Sequence, residues 1–318
     1  MTSYIIRRLI QAVIVIVLIS LFVFLLMRLL PGDPLMLFIA TNELTQISEE
    51  QYQALLVKFG MDKPVPLQYL TWMAGLFRGD LGRSLFFDEN VSSILAERLP
   101  VTAHLSILAL IIAIVLGVTA GVICALRRGG FIDTLVTSIA NFGISIPIFW
   151  LGVLLIYFFG LYLRWLPIQG YTSPFEDLVL STRQLIMPVF CMAVTAMASK
   201  ARLTRSSILE VVRQDYIRTA WAKGLRERVI VIRHVLKNGM IPVITMIGMQ
   251  VSHIFGGSVL IETVYNIPGM GRLMVSSVFS QDFVVVQGCS LLFAFIVVMV
   301  NLLVDISYGW LDPRIRYG

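Results

Sequence analysis

Charge is scarce in this sequence: Asp, Glu, Lys and Arg make up 14% of its 318 residues, while 58% are hydrophobic. Soluble domains run at about 45–50% apolar and about 25% charged, so an ordinary water-soluble domain is excluded. Cysteine is scarce too. Cys124, Cys191 and Cys289 are odd in number, lie inside apolar stretches and show no CxxC spacing. That excludes a disulfide framework and a cysteine-based zinc site, and leaves three small buried hydrophobes. Histidine is limited to His104, His234 and His253. The phosphate-loop pattern GxxxxGK followed by Ser or Thr is missing, so ATP hydrolysis is not this chain's own chemistry. Internal repeats and low-complexity tracts are also lacking.

The abundant apolar residues are gathered into blocks. Uncharged stretches run 9–27, 105–126, 134–163, 184–199, 238–261 and 283–304. A helix rises about 1.5 Å per residue, so about 20 residues cross a hydrocarbon core of about 30 Å. All but the fourth stretch meet that length. Arg7 and Arg8 before the first stretch resemble the start of a secretory signal, but the apolar run is too long and no small-residue cleavage site follows. Pro31-Gly32-Asp33-Pro34 reads as an abrupt helix stop. The first stretch is therefore expected to be a retained anchor, in an all-α integral membrane protein with about six transmembrane helices.

Basic residues set the orientation, because Lys and Arg accumulate on the cytoplasmic side. With the N-terminus inside, the inner segments carry Arg7, Arg8, Arg127, Arg128, a dense cluster between Lys200 and Lys237, and Arg314 and Arg316. Their acids are few: Asp133, Glu210, Asp215, Glu227 and Asp312. Both termini are thus expected in the cytoplasm. The net charge of +6 is a topology signal, and nucleic-acid binding is not inferred from it. The layout that follows has three parts: residues 1–30, a cytoplasmic N-terminus and helix 1; residues 31–100, an extracytoplasmic segment of about 70 residues; and residues 101–318, a five-helix core containing a basic inner segment, 200–237. In the outer segment Ser48-Glu49-Glu50-Gln51 fits a capping box, followed by Tyr52, Leu55, Leu56 and Phe59 on one face and Gly60 as the stop. Pro64 and Pro66 then precede a second amphipathic stretch around Tyr69, Trp72, Met73 and Leu76.

The inner segment 200–237 is the most informative. Val212, Tyr216 and Ala220 are spaced by four, with Ile217 and Trp221 beside them, which predicts an apolar helical face. Gly224 suits a tight turn or helix C-cap. A second short helix is expected to begin near Arg226 and lead through Val229, Ile232 and Leu236 back toward the membrane. Spacing alone leaves two readings open: a docking element for a cytoplasmic partner, or an amphipathic segment lying on anionic lipid.

The run DYIRTAWAKGL from Asp215 to Leu225, followed by RHVLKNGMIPVIT from Arg233 to Thr245, resembles the cytoplasmic loop of permease subunits in binding-protein-dependent ABC importers, most closely the dipeptide and oligopeptide branch. The wider family reads EAA, three residues, then Gly; here those positions are Arg218, Thr219 and Ala220, with Gly224 in register. Further matches run along nearly the whole chain: YIIRRLIQ from Tyr4, PGDP after helix 1, GDLGRS over Gly79–Ser84, RLPVT over Arg98–Thr102, ETVYNIPGMGRL over Glu262–Leu273 and LDPRIR from Leu311. Each is weak alone, and their order makes the set specific.

The resemblance implies a non-catalytic permease subunit, the first-type one, in a bacterial or archaeal cytoplasmic membrane. It would pair with a second homologous permease, two cytoplasmic ABC ATPases and an extracytoplasmic solute-binding protein, amid membrane lipid and without nucleic acid. No cofactor is implied in this chain, ATP and Mg belonging to the partner ATPases. Arg218, Thr219, Ala220, Lys223, Gly224 and Leu225 would form the ATPase-coupling loop. Members of this branch carry dipeptides, oligopeptides, glutathione, nickel chelates or sugars, and selectivity rests largely with the binding protein.

Other features compete with that reading. Glu262, Pro268, Gly269 and Gly271 mark a second loop, dense enough in turn formers to shape an outer mouth; a plain structural turn explains them as well. His253 and Ser258 suggest an intramembrane protease, but five residues on a helix place them about 140° apart. Pro147 inside the third stretch marks either a broken helix of the kind secondary transporters use, or a kink in an overlong helix or a short re-entrant piece. A stand-alone ion-coupled transporter is the alternative function, with a channel or membrane scaffold third. No Asp, Glu, Lys or Arg is expected deep in a helix, and Asp305 is expected at an interface, so the charge relay of an ion-coupled carrier is missing.

Overall fold

Uncharged runs of this length have no water to satisfy their backbone polar groups, so they must form helices. The computed structural model describes residues 2–29, 35–36, 39, 48–58 and 60–311, where the regular elements are helices apart from one isolated bridge between Arg83 and Asn90. In chain order they are α1 (Thr2–Leu29), α2 (Glu49–Lys58), α3 (Val65–Leu76), α4 (Val91–Leu126), α5 (Phe131–Ser145) and α6 (Ile148–Leu155), the last continuing as a π-helical stretch over Ile156–Tyr162. Then come α7 (Leu178–Val212), α8 (Asp215–Ala222), α9 (227–239, π-helical over Ile230–Leu236), α10 (Ile241–Val264), α11 (Met270–Phe279) and α12 (Phe283–Leu311). The expected stop at 31–34, the tail beyond Leu311 and the side chains of His253 and Asp305 lie outside the described residues.

Four helices among the described residues are long and apolar enough to cross a membrane, and the bent pair α5–α6 makes up to a fifth crossing. The fifth apolar stretch falls largely on α10, whose 24 residues give a length of about 36 Å. Large hydrophobics on α1 face outward, with Val13 60%, Leu18 58% and Phe22 65% exposed, as expected when lipid replaces water around a helix.

Two boundaries differ from expectation. The fourth stretch, only 16 uncharged residues, belongs to a 35-residue helix that starts where Asp177 caps it, accepting the Leu180 N–H at 2.9 Å. α7 therefore runs into the segment 200–237, whose first third is helix. The third stretch is sharply bent: its two helical parts meet at 103°, the geometry of a broken span or a re-entrant loop. The residue before a proline avoids the helical region, and Ile146 is extended at φ −83°, ψ 127°, so the chain turns sharply before Pro147 starts the next helix.

The chain forms two compact units, residues 1–101 with 268–306, and residues 102–267 with 307–318. In the first, Val91, Ile94 and Leu95 of α4 pack with Met270 and Leu273 of α11 and Val285 and Cys289 of α12. The capping box at Ser48 is reciprocal: Ser48 N–H donates to Gln51 Oε1 at 3.1 Å, and Gln51 N–H to Ser48 Oγ at 3.3 Å. The second outer helix, α3, packs on α1. Tyr69 meets Phe24 edge-on at 5.3 Å, Trp72 stacks with it at 6.2 Å, and Ser20 Oγ lies 2.9 Å from the Tyr69 hydroxyl.

In the second unit α4 and α7 touch backbone to backbone. A Cβ on Gly121 would lie 2.5 Å from the Ala201 carbonyl oxygen and 2.6 Å from Thr204 Cβ. Ala113, Ala193 and Ala196 continue the contact. Gly117 and Gly121 form the small-xxx-small spacing that lets membrane helices approach closely, a signal available in the sequence that composition and charge do not capture. α6 and α10 are joined where the Tyr265 hydroxyl donates to the Gly152 carbonyl at 3.2 Å.

Buried charge is present on these helices, against expectation. Asp133 on α5 is 4% exposed, and Lys200 on α7 and Glu262 on α10 are fully buried. The helices extend past the uncharged stretches, so residues expected in loops become helical. Asp133 receives a two-pronged bond from Arg205, Nε to Oδ1 at 2.6 Å and Nη2 to Oδ2 at 2.8 Å, and the Gly129 N–H at 2.9 Å. A buried carboxylate held by a guanidinium fork and a backbone donor is paired in the way burial requires. It fixes the turn between α4 and α5 to α7.

Candidate functional site

The inner segment is built from the break after α7. Arg213 and Gln214 end that helix, and α8 starts at Asp215. Its buried residues are Ile217 and Ala220, which pack with Ala125 of α4, Ile208 of α7, and Ile230 and Val235 of α9. The predicted single apolar face is thus divided. Ile217 and Ala220 turn inward, while Val212, Tyr216 and Trp221 are 40%, 44% and 49% exposed.

Gly224 adopts φ +73°, the left-handed region where a side chain is unfavourable. The hydrogen bonds are those of a Schellman C-cap: Leu225 N–H donates to the Ala220 carbonyl at 3.4 Å and Gly224 N–H to the Trp221 carbonyl at 2.9 Å. Lys223 N–H reaches the Thr219 carbonyl at 3.0 Å. Nothing lies within 4 Å of a Cβ built on Gly224, so the turn projects into open space. Arg218 is 77% exposed and pairs with Asp215 at 3.5 Å, too exposed to be stabilising. Thr219 Oγ1 bonds back to the Asp215 carbonyl at 3.0 Å. The structure therefore brings Arg218, Thr219, Lys223, Gly224 and Leu225 together on one exposed turn and places Ala220 beneath it as the packing contact.

After the turn, α9 returns as expected, starting at Glu227 with Arg226 as its N-cap, with Ile230 and Val235 inward and Ile232 55% exposed. Asn238 Nδ2 donates to the Tyr216 hydroxyl at 3.0 Å, and Ser207 Oγ to the Gly239 carbonyl at 2.7 Å. The first bond ties the two short helices to each other, and the second ties α9 to α7. Asp133 and Arg205 are the residues that sequence reasoning missed here. The available signal was a lone acid opening α5, on the side of the chain where basic residues dominate.

The second predicted loop separates into two environments. Glu262 sits in the last turn of α10, not in a loop, and accepts the Thr102 hydroxyl at 2.7 Å. The strained turn falls on Asn266, at φ +53°, because a short polar side chain tolerates this region. In the other unit Gly269 is extended and caps α11, Gly271 is buried inside that helix, and the Pro268 carbonyl accepts from Arg98 Nη1 at 3.4 Å. Neither glycine makes the turn that their density suggested.

The stretch GDLGRS acquires a clear role in the first unit. Ser84, fully buried, donates its hydroxyl to the carboxylate of Asp282, which is also fully buried and accepts the Val285 N–H at 3.4 Å. Ser84 N–H donates to the Glu89 carbonyl at 2.9 Å and Val91 N–H to the Gly82 carbonyl at 2.9 Å. Elsewhere His104 Nδ1 lies 3.0 Å from the Tyr171 hydroxyl, and the three cysteines are free and buried. Among the described residues no group of three or more His, Cys, Asp or Glu is arranged to hold a metal ion.

Comparison with known proteins agrees with this architecture. Residues 117–317 match the family described as "Binding-protein-dependent transport system inner membrane component", and residues 1–106 match its N-terminal companion. A probable peptide ABC transporter permease of Sinorhizobium fredii is 39% identical over the full length of both chains. A putative peptide transport system permease of Brucella abortus is 42% identical over 318 residues, again all of both chains. The di/tripeptide transport system permease DppB of Pseudomonas aeruginosa is 37% identical, covering 100% of this chain and 99% of that one. The fold resembles a chain of the inward-facing MetNI methionine ABC transporter, with a TM-score of 0.53 at 18% identity, covering 69% of this chain and 96% of that one. An amino acid ABC transporter also gives 0.53 at 14% identity, covering 68% and 92%. The chain belongs to the family of inner-membrane components of binding-protein-dependent transport systems.

Proposed function

We propose that this chain is the first-type permease subunit of an ATP-driven importer for peptides, and that the turn at Gly224 couples it to ATPase subunits. The observation that carries the reading is the division of α8. Its inward residues, Ile217 and Ala220, are spent on contacts with α4, α7 and α9. A helix lying on lipid would turn its apolar face away from the protein. The exposed side combines Tyr216, Trp221 and Leu225 with Arg218 and Lys223, and its aromatics and arginine are residue types enriched at protein interfaces. The complementary surface is an apolar groove with acidic edges.

The packing supports a mechanical role. Close-packed interiors deform little, so a push on the turn passes through Ile217 and Ala220 to three helices together. Closure of two ATPases around ATP would draw this turn and its counterpart on a second permease together and open the path toward the binding protein, by alternating access. ATP and Mg sit on the ATPases, and this chain holds no cofactor and performs no catalysis. Peptide as the solute rests on the full-length relatives named for peptide transport, and the cytoplasmic position of the turn on the distribution of Lys and Arg. The test is cysteine cross-linking at positions 218–225 in native membranes, alongside uptake in vesicles. Capture of an ATPase, with uptake that survives collapse of the proton gradient while ATP remains, is expected. Failure at every position, or uptake that collapses with the gradient, overturns the proposal.

A further inference from the structure

Helix α5 carries a polar row where a lipid-covered helix would be apolar. Thr134, Ser138, Asn141 and Ser145 are all exposed, and at 3.6 residues per turn they fall within about 60° of one another. Gly143 lies on the opposite side, where a Cβ would come 2.9 Å from Val194 Cγ1 of α7, so the row faces away from α7. A second exposed row, Phe131, Leu135, Ile139 and Phe142, runs beside it. One helix thus presents three surfaces: one against protein, one apolar and one polar.

Hydrocarbon is a poor cover for the polar row. Thr134 Oγ1 donates to the Gly130 carbonyl at 3.3 Å and Ser145 Oγ to the Asn141 carbonyl at 2.9 Å, bonds that such hydroxyls make within their own helix. The side chains of Ser138 and Asn141 make no hydrogen bond among the described residues. A hydroxyl or amide placed in lipid without a partner carries its whole desolvation cost, and a carboxamide has donors and acceptors to satisfy together.

The end of the row gives an independent reason. Arg127 and Arg128 before α5 are exposed, which sets that end of the helix at the headgroups. α5 has 15 residues, about 22 Å, so it ends within a hydrocarbon core of about 30 Å. There the chain bends, and the last carbonyls of α5 and the first N–H groups of α6 lose their intrahelical partners. Ser145 and Pro147 at the bend are exposed. Irregular backbone at membrane depth is tolerated only where protein buries it or where it lines water, and this holds for a broken span and a re-entrant loop alike.

The two rows call for different neighbours. The apolar row suits acyl chains or the flank of a second subunit. The polar row and the bend suit water and a polar solute. Hydroxyls and an amide both give and accept hydrogen bonds, as peptide groups do, and neutral groups spread over several positions hold a solute loosely enough to let it move on.

We propose that Thr134, Ser138, Asn141 and Ser145 line the water-filled path along which the peptide crosses. This rests on the importer reading above and names the wall that its solute touches. The test uses the purified complex in nanodiscs of phosphatidylcholine and phosphatidylglycerol, with single cysteines placed at 134, 138, 141 and 145 and, for comparison, at 135, 139 and 142. The unaltered chain, whose three cysteines are buried, gives the background. A charged, lipid-insoluble methanethiosulfonate reagent is the probe, applied without nucleotide, with ATP and with vanadate. Cysteines in the polar row are expected to react about tenfold faster or more in at least one of these states, because a thiol must ionise to react and each pKa unit that hydrocarbon adds slows it about tenfold. Modification of Asn141→Cys should block ATP-driven uptake of a labelled dipeptide in proteoliposomes. Ser138→Cys and Ser145→Cys exchange one atom each and keep the test open should Asn141→Cys fail to assemble. Equal rates in the two rows in every state, or disulfides that tie the polar row to the second permease, would overturn the proposal. A reactive polar row in a complex without ATP-driven uptake would support the aqueous path and remove the importer reading instead.

Discussion

Replacing Gly224 separates the shape of the coupling turn from its contacts. Its φ of +73° costs a residue with a side chain about 1–2 kcal/mol, and Val sits at the upper end because it is β-branched. That is a small part of a folding stability of about 5–15 kcal/mol, and no neighbour lies within 4 Å of the new Cβ. Gly224→Val should therefore reach the membrane at a normal level. The strain acts locally. It shifts the balance of the turn by about 5- to 30-fold toward conformers that lose the bonds from Leu225 to Ala220 and from Gly224 to Trp221. Gly224→Asn adds a side chain of similar reach at lower backbone cost, since Asn enters the left-handed region more readily. The assay is ATP-driven uptake by the reconstituted complex, measured beside ATP hydrolysis. Val is expected to reduce uptake per ATP several-fold. Asn should retain more uptake if the turn's shape is what matters, and should fall equally if a docked neighbour occupies the open space. Normal uptake by both variants would refute the reasoning.

Asp133→Asn strips the guanidinium of Arg205 of its charged partner; breaking a buried pair costs about 3–5 kcal/mol, and the lower end is expected because Arg205 is 32% exposed. A drop of several degrees in thermal unfolding in detergent checks it. Gly121→Val forces methyl groups into a backbone contact of 2.5 Å; overpacking costs about 1–3 kcal/mol or more, and reduced accumulation in membranes, with early unfolding of what inserts, is the expected readout. Burial pushes the Asp282 carboxyl above its ordinary range, against the opposing bond from Ser84. A raised folded value means that the folded state holds the proton more tightly, so this contribution is present below the ordinary carboxylate pKa and fades as pH rises through the raised one. Asp282→Asn should remove that component of the pH dependence, seen as a flatter difference in melting temperature between acidic and neutral buffer.

Much of the fold is legible from uncharged run length, because run length is set by membrane thickness. The capping box at Ser48 and the glycine turn at 224 are legible for a similar reason: each depends on local backbone chemistry. What the sequence obscures is set by contacts between distant segments. The inward turn of Ile217 and Ala220 depends on Ala125 and Ile208, and no spacing rule reports them. α7 continues through Lys200 and Arg205, although charge alone argues for a loop, because Asp133 receives Arg205. The loop around Pro268 misled for the opposite reason: Gly269 and Gly271 serve packing and capping, while Asn266 takes the bend.

The touching backbones of α4 and α7 at Gly121 have a kinetic consequence. Side chains that meet tip to tip can slip from one notch to the next, but a carbonyl seated where a methyl would not fit leaves no such track. Sliding of one helix along the other is resisted there, so a reorientation of this region is expected to carry the two helices together as a single lever.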